Sequence, residues 1–435
     1  MGRATRIAIN AQLQPNQGIG GVESVLVGLI SALAKLNDGD EEYIIIGHRD
    51  YSEWLKDFMG SNQQLVNFTG ASQREYKPPP SEYLKKALGP LRPIARKIYR
   101  TFFPAPPIDV PVSDGFYESL DCDVIHFPYQ EFAMCDVPFI YNPHDLQHIH
   151  YPQFFKQEQI AWRDAFFPAG CRNAHTVAVA SGWIKQDVVK NFGVDPDRVQ
   201  VIPWAPPTEA YPEAGDEVLR SVQDKYGIRP PFGFYPAMTW EHKNHLRLVE
   251  ALAALRDKEG LTVSFVCTGA LTRHYEKIEK RIGVLGLGDQ VVFPGMLPKE
   301  ELRAVYKLAR FVFVPTLFEA ASAPVFEAWQ ENIPVACSTV TSLPEQVRDA
   351  ALLFDPKSVD AIAAALKTMA TDGALLEDLA AKGARRLADF SWERTARSYR
   401  ALYRKVAGRE LYEEDRHLLD WDWMRNSAPG ESENR

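Results

Sequence analysis

Short apolar runs alternate with stretches of helical pattern along most of the chain, and the series runs twice. Apolar runs bounded by turn residues read as buried strands of parallel sheets, and strand–helix alternation defines an α/β fold. In the first series strands are expected at Arg6–Asn10, Tyr43–Gly47, Asp123–Phe127, Pro138–Tyr141, Thr176–Val179 and Val199–Ile202, with helices from about Val22 to Leu36 and Gly182 to Phe192. The second series places strands at Phe232–Tyr235, Thr262–Cys267, Val291–Phe293, Phe311–Val314 and Pro334–Cys337. Its helices fall at about Asn244–Arg256, Arg273–Leu285, Lys299–Ala309, Pro324–Gln330, Val359–Met369, Ala374–Ala388 and Trp392–Ala407.

Pro203-Trp-Ala-Pro-Pro207, with the polar stretch up to about Asp216, separates the two series. Consecutive prolines favour an extended, stiff linker. A chain of 435 residues exceeds what one core usually supports, so two domains are expected. Their bounds are read as 1–205 and 206–390, with the helix at 391–408 packing back on the first domain. Residues 409–435 read as an acidic tail, disordered from Ser427 onward. The proline-rich, charged stretch from Tyr51 to Gly115 reads as an irregular insertion.

A net charge of −8 leaves no basic surplus to neutralise nucleic-acid phosphates. The five cysteines are scattered, odd in number and without metal-type spacing, which fits reduced thiols in a cytoplasmic protein. No apolar run approaches the roughly 20 residues of a membrane span. One segment, 83–103, mixes six lysines and arginines with Leu84, Leu88, Leu91, Ile94, Ile98 and aromatics. Such a mixture suits peripheral contact with an anionic inner membrane face, and equally an amphipathic helix on the domain's own core.

The chemistry-bearing residues cluster at the carboxyl ends of the expected strands. After Phe311-Val-Phe-Val comes Phe318-Glu319-Ala-Ala-Ser-Ala-Pro-Val-Phe-Glu327, with Glu319 in a loop and Glu327 about two turns into a helix. Ser322 can cap that helix, and Pro324 suits its first turn. Free amides at its start, beside Ser322 and Ala323, suit a diphosphate, while carboxylates suit sugar hydroxyls. Together they point to a nucleotide-sugar site. The loop Gln17-Gly-Ile-Gly20-Gly21-Val-Glu lets backbone approach a phosphate or sugar, and also suits a plain tight turn. Tyr141-Asn-Pro-His144-Asp145-Leu146, Thr239-Trp-Glu-His-Lys243-Asn244-His245 and Phe293-Pro-Gly-Met-Leu297-Pro complete the set. His144, His148 and His150 lie close in sequence but lack an obvious carboxylate to complete a metal site, so no metal is expected.

The stretch from Val312 to Pro356, with Thr341-Ser-Leu-Pro-Glu345 and Ala350-Ala-Leu-Leu-Phe-Asp-Pro356, resembles the C-terminal signature of retaining glycosyltransferases of family 4, the group 1 type with the GT-B fold. The likeness extends from Arg6 to about Ala407. It implies two Rossmann-like domains facing across a cleft and transfer of a hexose from a nucleotide sugar to a glycan or lipid-linked acceptor. The nucleotide sugar is a substrate, and no cofactor is implied. The variant around Lys243-Asn244 resembles bacterial mannosyltransferases, which makes GDP-mannose the first donor to consider.

By resemblance, His144, Glu319 and Lys243 are catalytic. Gly20, Gly21, Lys243, Leu297, Ser322, Ala323 and Glu327 hold the donor, and Asp145 faces the acceptor. His144 would orient the sugar or stabilise developing charge. Two departures stand out. Ala320, Ala321 and Ser322 occupy places where the family usually has glycine, aromatic and glycine. Met238 stands where many members carry an arginine, and His242 or His245 could supply part of the missing charge. A non-catalytic nucleotide-sugar-binding scaffold, or an epimerase or hydrolase of the same fold, would share the donor site.

Overall fold

The computed structural model describes residues 3–14, 20–70, 108–206 and 212–422. The segment 83–103, the stretch 15–19 before Gly20 and the residues from Ser427 lie outside the described residues. Two wholly parallel sheets organise the chain. The first contains β1 (Arg6–Ala11), β2 (Glu42–Gly47), β3 (Gln63–Asn67), β4 (Val124–Phe127), β5 (Phe139–Tyr141), β6 (Thr176–Val179) and β7 (Val199–Val201), in the order β3-β2-β1-β4-β5-β6-β7. Ile7 pairs with Tyr43 on one side and Val124 on the other, which puts β1 at the sheet's centre.

Side-chain alternation on β1 explains why helices are needed on both faces. Ile7 and Ile9 point to the layer formed by α1 (Gly20–Ala34), where they meet Leu26, Leu29, Ile30 and Leu33. Ala8 points the other way, into a cluster with Phe127, Tyr141 and Phe167. That second face is covered by α2 (Gln157–Asn173) and α3 (Gly182–Phe192).

The second sheet holds β8 (Gly233–Pro236), β9 (Phe265–Thr268), β10 (Val291–Gly295), β11 (Phe311–Val314), β12 (Val335–Ser338) and β13 (Leu352–Phe354), ordered β10-β9-β8-β11-β12-β13. Around it lie α4 (Asp216–Tyr226), α5 (His245–Glu259), α6 (Tyr275–Leu285), α7 (Lys299–Leu308), α8 (Ala323–Gln330), α9 (Val359–Thr371) and α10 (Gly373–Leu387). One large apolar cluster, from Phe234 and Phe265 to Trp329 and Leu366, forms this core.

In both sheets the strand order reverses beside the first strand, between β1 and β4 and between β8 and β11. Ligands of open α/β sheets bind outside the carboxyl ends of the strands at such reversals. The chain therefore carries two switch points.

After α10 the chain returns to the first sheet. Helix α11 (Trp392–Val406) packs along α1, and the Trp392 ring fills the space above Gly28, where an added Cβ would lie 2.3 Å from the indole. Tyr403 and Tyr399 reach into the first domain, to His126 Nδ1 (2.8 Å) and Asn142 Nδ2 (2.9 Å). Buried Arg404 bonds Glu41 at 2.6 Å and Asp415 at 3.0 Å, and this cage raises its pKa despite the burial.

Helices α2 and α4, strands β3 and β13 and the helix at Glu413–Asp420 were not visible as such. Helix α2 carries Pro168 in its interior, whereas α4 does carry an apolar stripe of Val218, Leu219, Val222 and Tyr226, directly after the stretch read as a linker. Strands β3 and β13 lie at sheet edges, and β3 is mostly polar. The stretch read as an acidic tail forms α12 (Glu413–Asp420), held against α11 because Asp415 meets Arg404. Among the described residues no helix is long and apolar enough to cross a membrane.

Candidate active site

The loops after β8 and β11, neighbours at the second switch point, are stitched together by one asparagine. Asn244 adopts φ +64°, a left-handed conformation that asparagine tolerates. Its Nδ2 donates to the carbonyls of Pro315 and Pro356, both at 2.9 Å. Leu317 N donates to His242 O at 2.8 Å, and Tyr235 Oη donates to Lys243 O at 3.1 Å. These bonds bring Lys243 to Glu319: Nζ stands 2.8 Å from Oε2, and both side chains are largely buried. Thr341 Oγ1 fixes the glutamate's backbone, accepting from Glu319 N at 3.1 Å and donating to Glu319 O.

Glu327 lies on α8, buried, and accepts a hydrogen bond from the Tyr306 hydroxyl. Ser322 occupies the cap position of α8, with Ala323 as the helix's first residue. The expected cap bond does not form. Ser322 Oγ is buried and unpartnered, while the residue's backbone N and O bond the Gln346 amide. Leu297 packs partly buried against the second core, and Met296 beside it is exposed.

His242 and His245 do not make up for the arginine absent at Met238. Burial, with the neighbouring Lys243 charge adding to it, pushes both down to about 3, so they are neutral at pH 7. The His245 ring packs tilted against Tyr235, with ring centroids 4.8 Å apart.

In the first domain His144 has φ +65°, a strained conformation for a histidine. Its Nε2 lies 2.8 Å from Pro128 O, and a carbonyl only accepts, so Nε2 carries the proton and Nδ1 is left as an acceptor. Burial lowers its pKa, which suits orienting a hydroxyl rather than meeting developing negative charge. The Trp204 ring, from the linker, lies 5.0 Å away. Asp145 turns back on its own loop, accepting from Gln147 N at 3.0 Å with Arg163 at 3.6 Å. Gly20 and Gly21 open α1, and a Cβ at Gly21 would meet nothing within 4 Å. The three nearby histidines diverge: His148 faces Asp164 at 3.6 Å and His150 bonds Asp187 at 2.8 Å.

The two domains meet directly. Phe318, next to Glu319, packs against Trp183 and His150 of the first domain, each with centroids 5.7 Å apart. Ala320 and Ala321 line a small cavity with Ala180 and Trp204. Tyr306, Thr341, Gln346 and Trp204 were not singled out in the sequence. Only Thr341 had a signal, its place within a recognisable motif.

Two parallel α/β domains with a cation, carboxylates and a helix N-terminus at a switch point suit a ligand that carries phosphate and hydroxyl groups. Comparison with known proteins gives the family. Residues 218–386 match the family described as glycosyl transferases group 1, and residues 19–210 match glycosyltransferase family 4. The chain is a group 1 glycosyltransferase of the family 4 type. It is 24% identical over 263 residues to O-antigen chain mannosyltransferase B of Escherichia coli, covering 60% of this chain and 69% of that protein. It is 25% identical over 292 residues to the serotype-specific mannosyltransferase WbdA of Escherichia coli, covering 65% of this chain but 34% of that protein. The fold matches sucrose-phosphate synthase from Thermosynechococcus elongatus with a TM-score of 0.66 at 20% identity, over 93% of this chain and 99% of that one.

Proposed function

We propose that the chain transfers a hexose, mannose from GDP-mannose in the first instance, to a hydroxyl of a glycan or lipid-linked acceptor with retention at the anomeric carbon. The observation that carries this reading is the Lys243–Glu319 pair at 2.8 Å, set at the β8/β11 switch point beside the start of α8. In the proposed reaction the bond from the anomeric carbon to the diphosphate oxygen breaks and its electron pair leaves with the diphosphate. A new bond forms to the acceptor oxygen, which gives up its proton. Lys243 and the Ala323 amide that opens α8 stabilise the departing charge, with no divalent metal required, the Ser322 amide being already bound to Gln346. Glu319 orients donor-sugar hydroxyls and Glu327 holds the ribose, its carboxylate already aimed by Tyr306. His144 offers Nδ1 to a sugar hydroxyl, Gly20 and Gly21 leave room for the donor phosphates, Leu297 borders the base, and Asp145 faces the acceptor. The mannosyltransferase relatives support the choice of sugar.

Calorimetric titration with GDP, UDP, ADP and their sugar conjugates, with and without EDTA, tests the donor site. Tight binding of one nucleotide that is insensitive to EDTA and lost in Lys243→Ala supports the reading. NMR of the product's anomeric proton then decides between retention and inversion. Binding without turnover on any glycan acceptor would point to a nucleotide-sugar-binding scaffold.

A further inference from the structure

The motif Thr341-Ser-Leu-Pro-Glu345 and the Gln346 that follows it have no chemical role in the reaction as described. In the structure, Ser342 to Gln346 lie where three parts of the molecule meet. Toward the first domain, Glu345 Oε2 accepts from Gly182 N, at the start of α3, at 2.9 Å. Ser181 Oγ, which accepts from Ile184 N, also shares a hydrogen bond with Ser342 Oγ, 2.6 Å away. Gly182 permits this approach, since a Cβ there would stand 3.2 Å from Glu345 Oε2.

Toward the donor loop, Gln346 Oε1 accepts from Ser322 N at 2.8 Å, and its Nε2 donates to Ser322 O at 2.9 Å. From behind, Arg386 on α10 donates Nη2 to Glu345 O (3.1 Å) and Nε to Gln346 O (3.0 Å). Ser322, Gln346 and Arg386 are all buried. Ser322 Oγ makes no cap bond, so the two-point amide clamp sets the direction in which the turn enters α8. A turn built from alanine and serine lacks glycine's freedom, and a rigid external clamp selects one of its few allowed shapes.

We propose that Gln346 is a positioning residue for the donor loop, and that Glu345 beside it ties the same loop to the first domain. The turn Ala320–Ala323 is thereby held in its diphosphate-binding shape when the domains meet. This rests on the donor-site reading above.

The test titrates GDP, UDP and ADP into the parent and into Gln346→Ala, Gln346→Glu and Glu345→Ala, with turnover followed in parallel. Gln346→Ala should weaken binding of the nucleotide that the parent binds by about tenfold or more, the scale of one lost buried hydrogen bond. Gln346→Glu keeps the volume and can accept from Ser322 N but cannot donate to Ser322 O, so it should fall between. Glu345→Ala should bind nucleotide within about threefold of the parent while turnover drops, because it loosens only the domain contact. A packing role alone would lower the unfolding midpoint in all three without separating affinity from turnover, and would overturn the proposal. Parent-like affinity in Gln346→Glu together with any folded Gln346→Ala overturns it as well, leaving the donor site intact. A parent that binds none of the three nucleotides overturns the donor-site reading and this inference with it.

Discussion

Replacing Asn244 by alanine removes the strap that holds the loops after β8 and β11 in register. Two buried carbonyls, Pro315 O and Pro356 O, lose their 2.9 Å donor. Each unsatisfied buried acceptor costs about 1–3 kcal/mol. Alanine at φ +64° adds about 1 kcal/mol of backbone strain. The sum is about 3–7 kcal/mol, which for a domain of this size is a fall in melting temperature of about 10–20 °C. Glycine accepts the same φ without strain, so Asn244→Gly should recover about 1 kcal/mol of the loss while still lacking the strap. Because Lys243 precedes Asn244, turnover in both variants should fall by about a hundredfold, the scale of a misplaced reactive group. Urea unfolding of the parent, Asn244→Ala and Asn244→Gly, with turnover measured under native conditions, gives all the quantities needed. Equal stability of the two variants would remove the backbone term. Stability within about 0.5 kcal/mol of the parent in both would refute the strap itself, since that is the scatter of ordinary surface changes.

Lys243→Ala should lower turnover by about 10²–10³, the usual effect of removing one group that stabilises transition-state charge, with Lys243→Arg retaining part of the rate. His242 and His245 have folded pKa values of about 3 against an unfolded value of 6.5. Between those values the unfolded chain binds more protons, so stability is highest above pH 6.5 and falls as pH drops toward 3. A His245→Phe variant should show a shallower fall in pH-dependent melting curves. Gly28→Ala, which drives a methyl into the Trp392 ring, should cost about 1–3 kcal/mol in chemical denaturation, while a methyl at Gly21, in open space, should not.

The sheets were legible because buried parallel strands leave continuous apolar runs such as Phe311–Val314, and their ends carried the site motifs. What stayed hidden depended on long-range partners. Nothing local in Gln63–Asn67 announces a strand, because its ladder is supplied by β2. The interior of α2 hides behind Pro168, and α12 behind a charge pattern that makes sense only beside Arg404. At the site, Lys243 and Glu319 could be named from their motifs. That His242 and His245 are neutral could not, because charge state depends on burial contributed by distant elements. Nor could the clamp on the Ser322 backbone be named, because it comes from Gln346, 24 residues away.

The return of α11 to the first sheet makes the second domain an insertion within the first. The partner for the face of α1 that receives Trp392 and the hydrogen-bonding partners of His126 and Asn142 are supplied by α11, which follows the second domain in sequence. During synthesis the first domain must therefore wait, half-built, until some two hundred further residues have left the ribosome. The second domain, contiguous in sequence, faces no such delay. The order of completion in the cell is the reverse of the order along the gene.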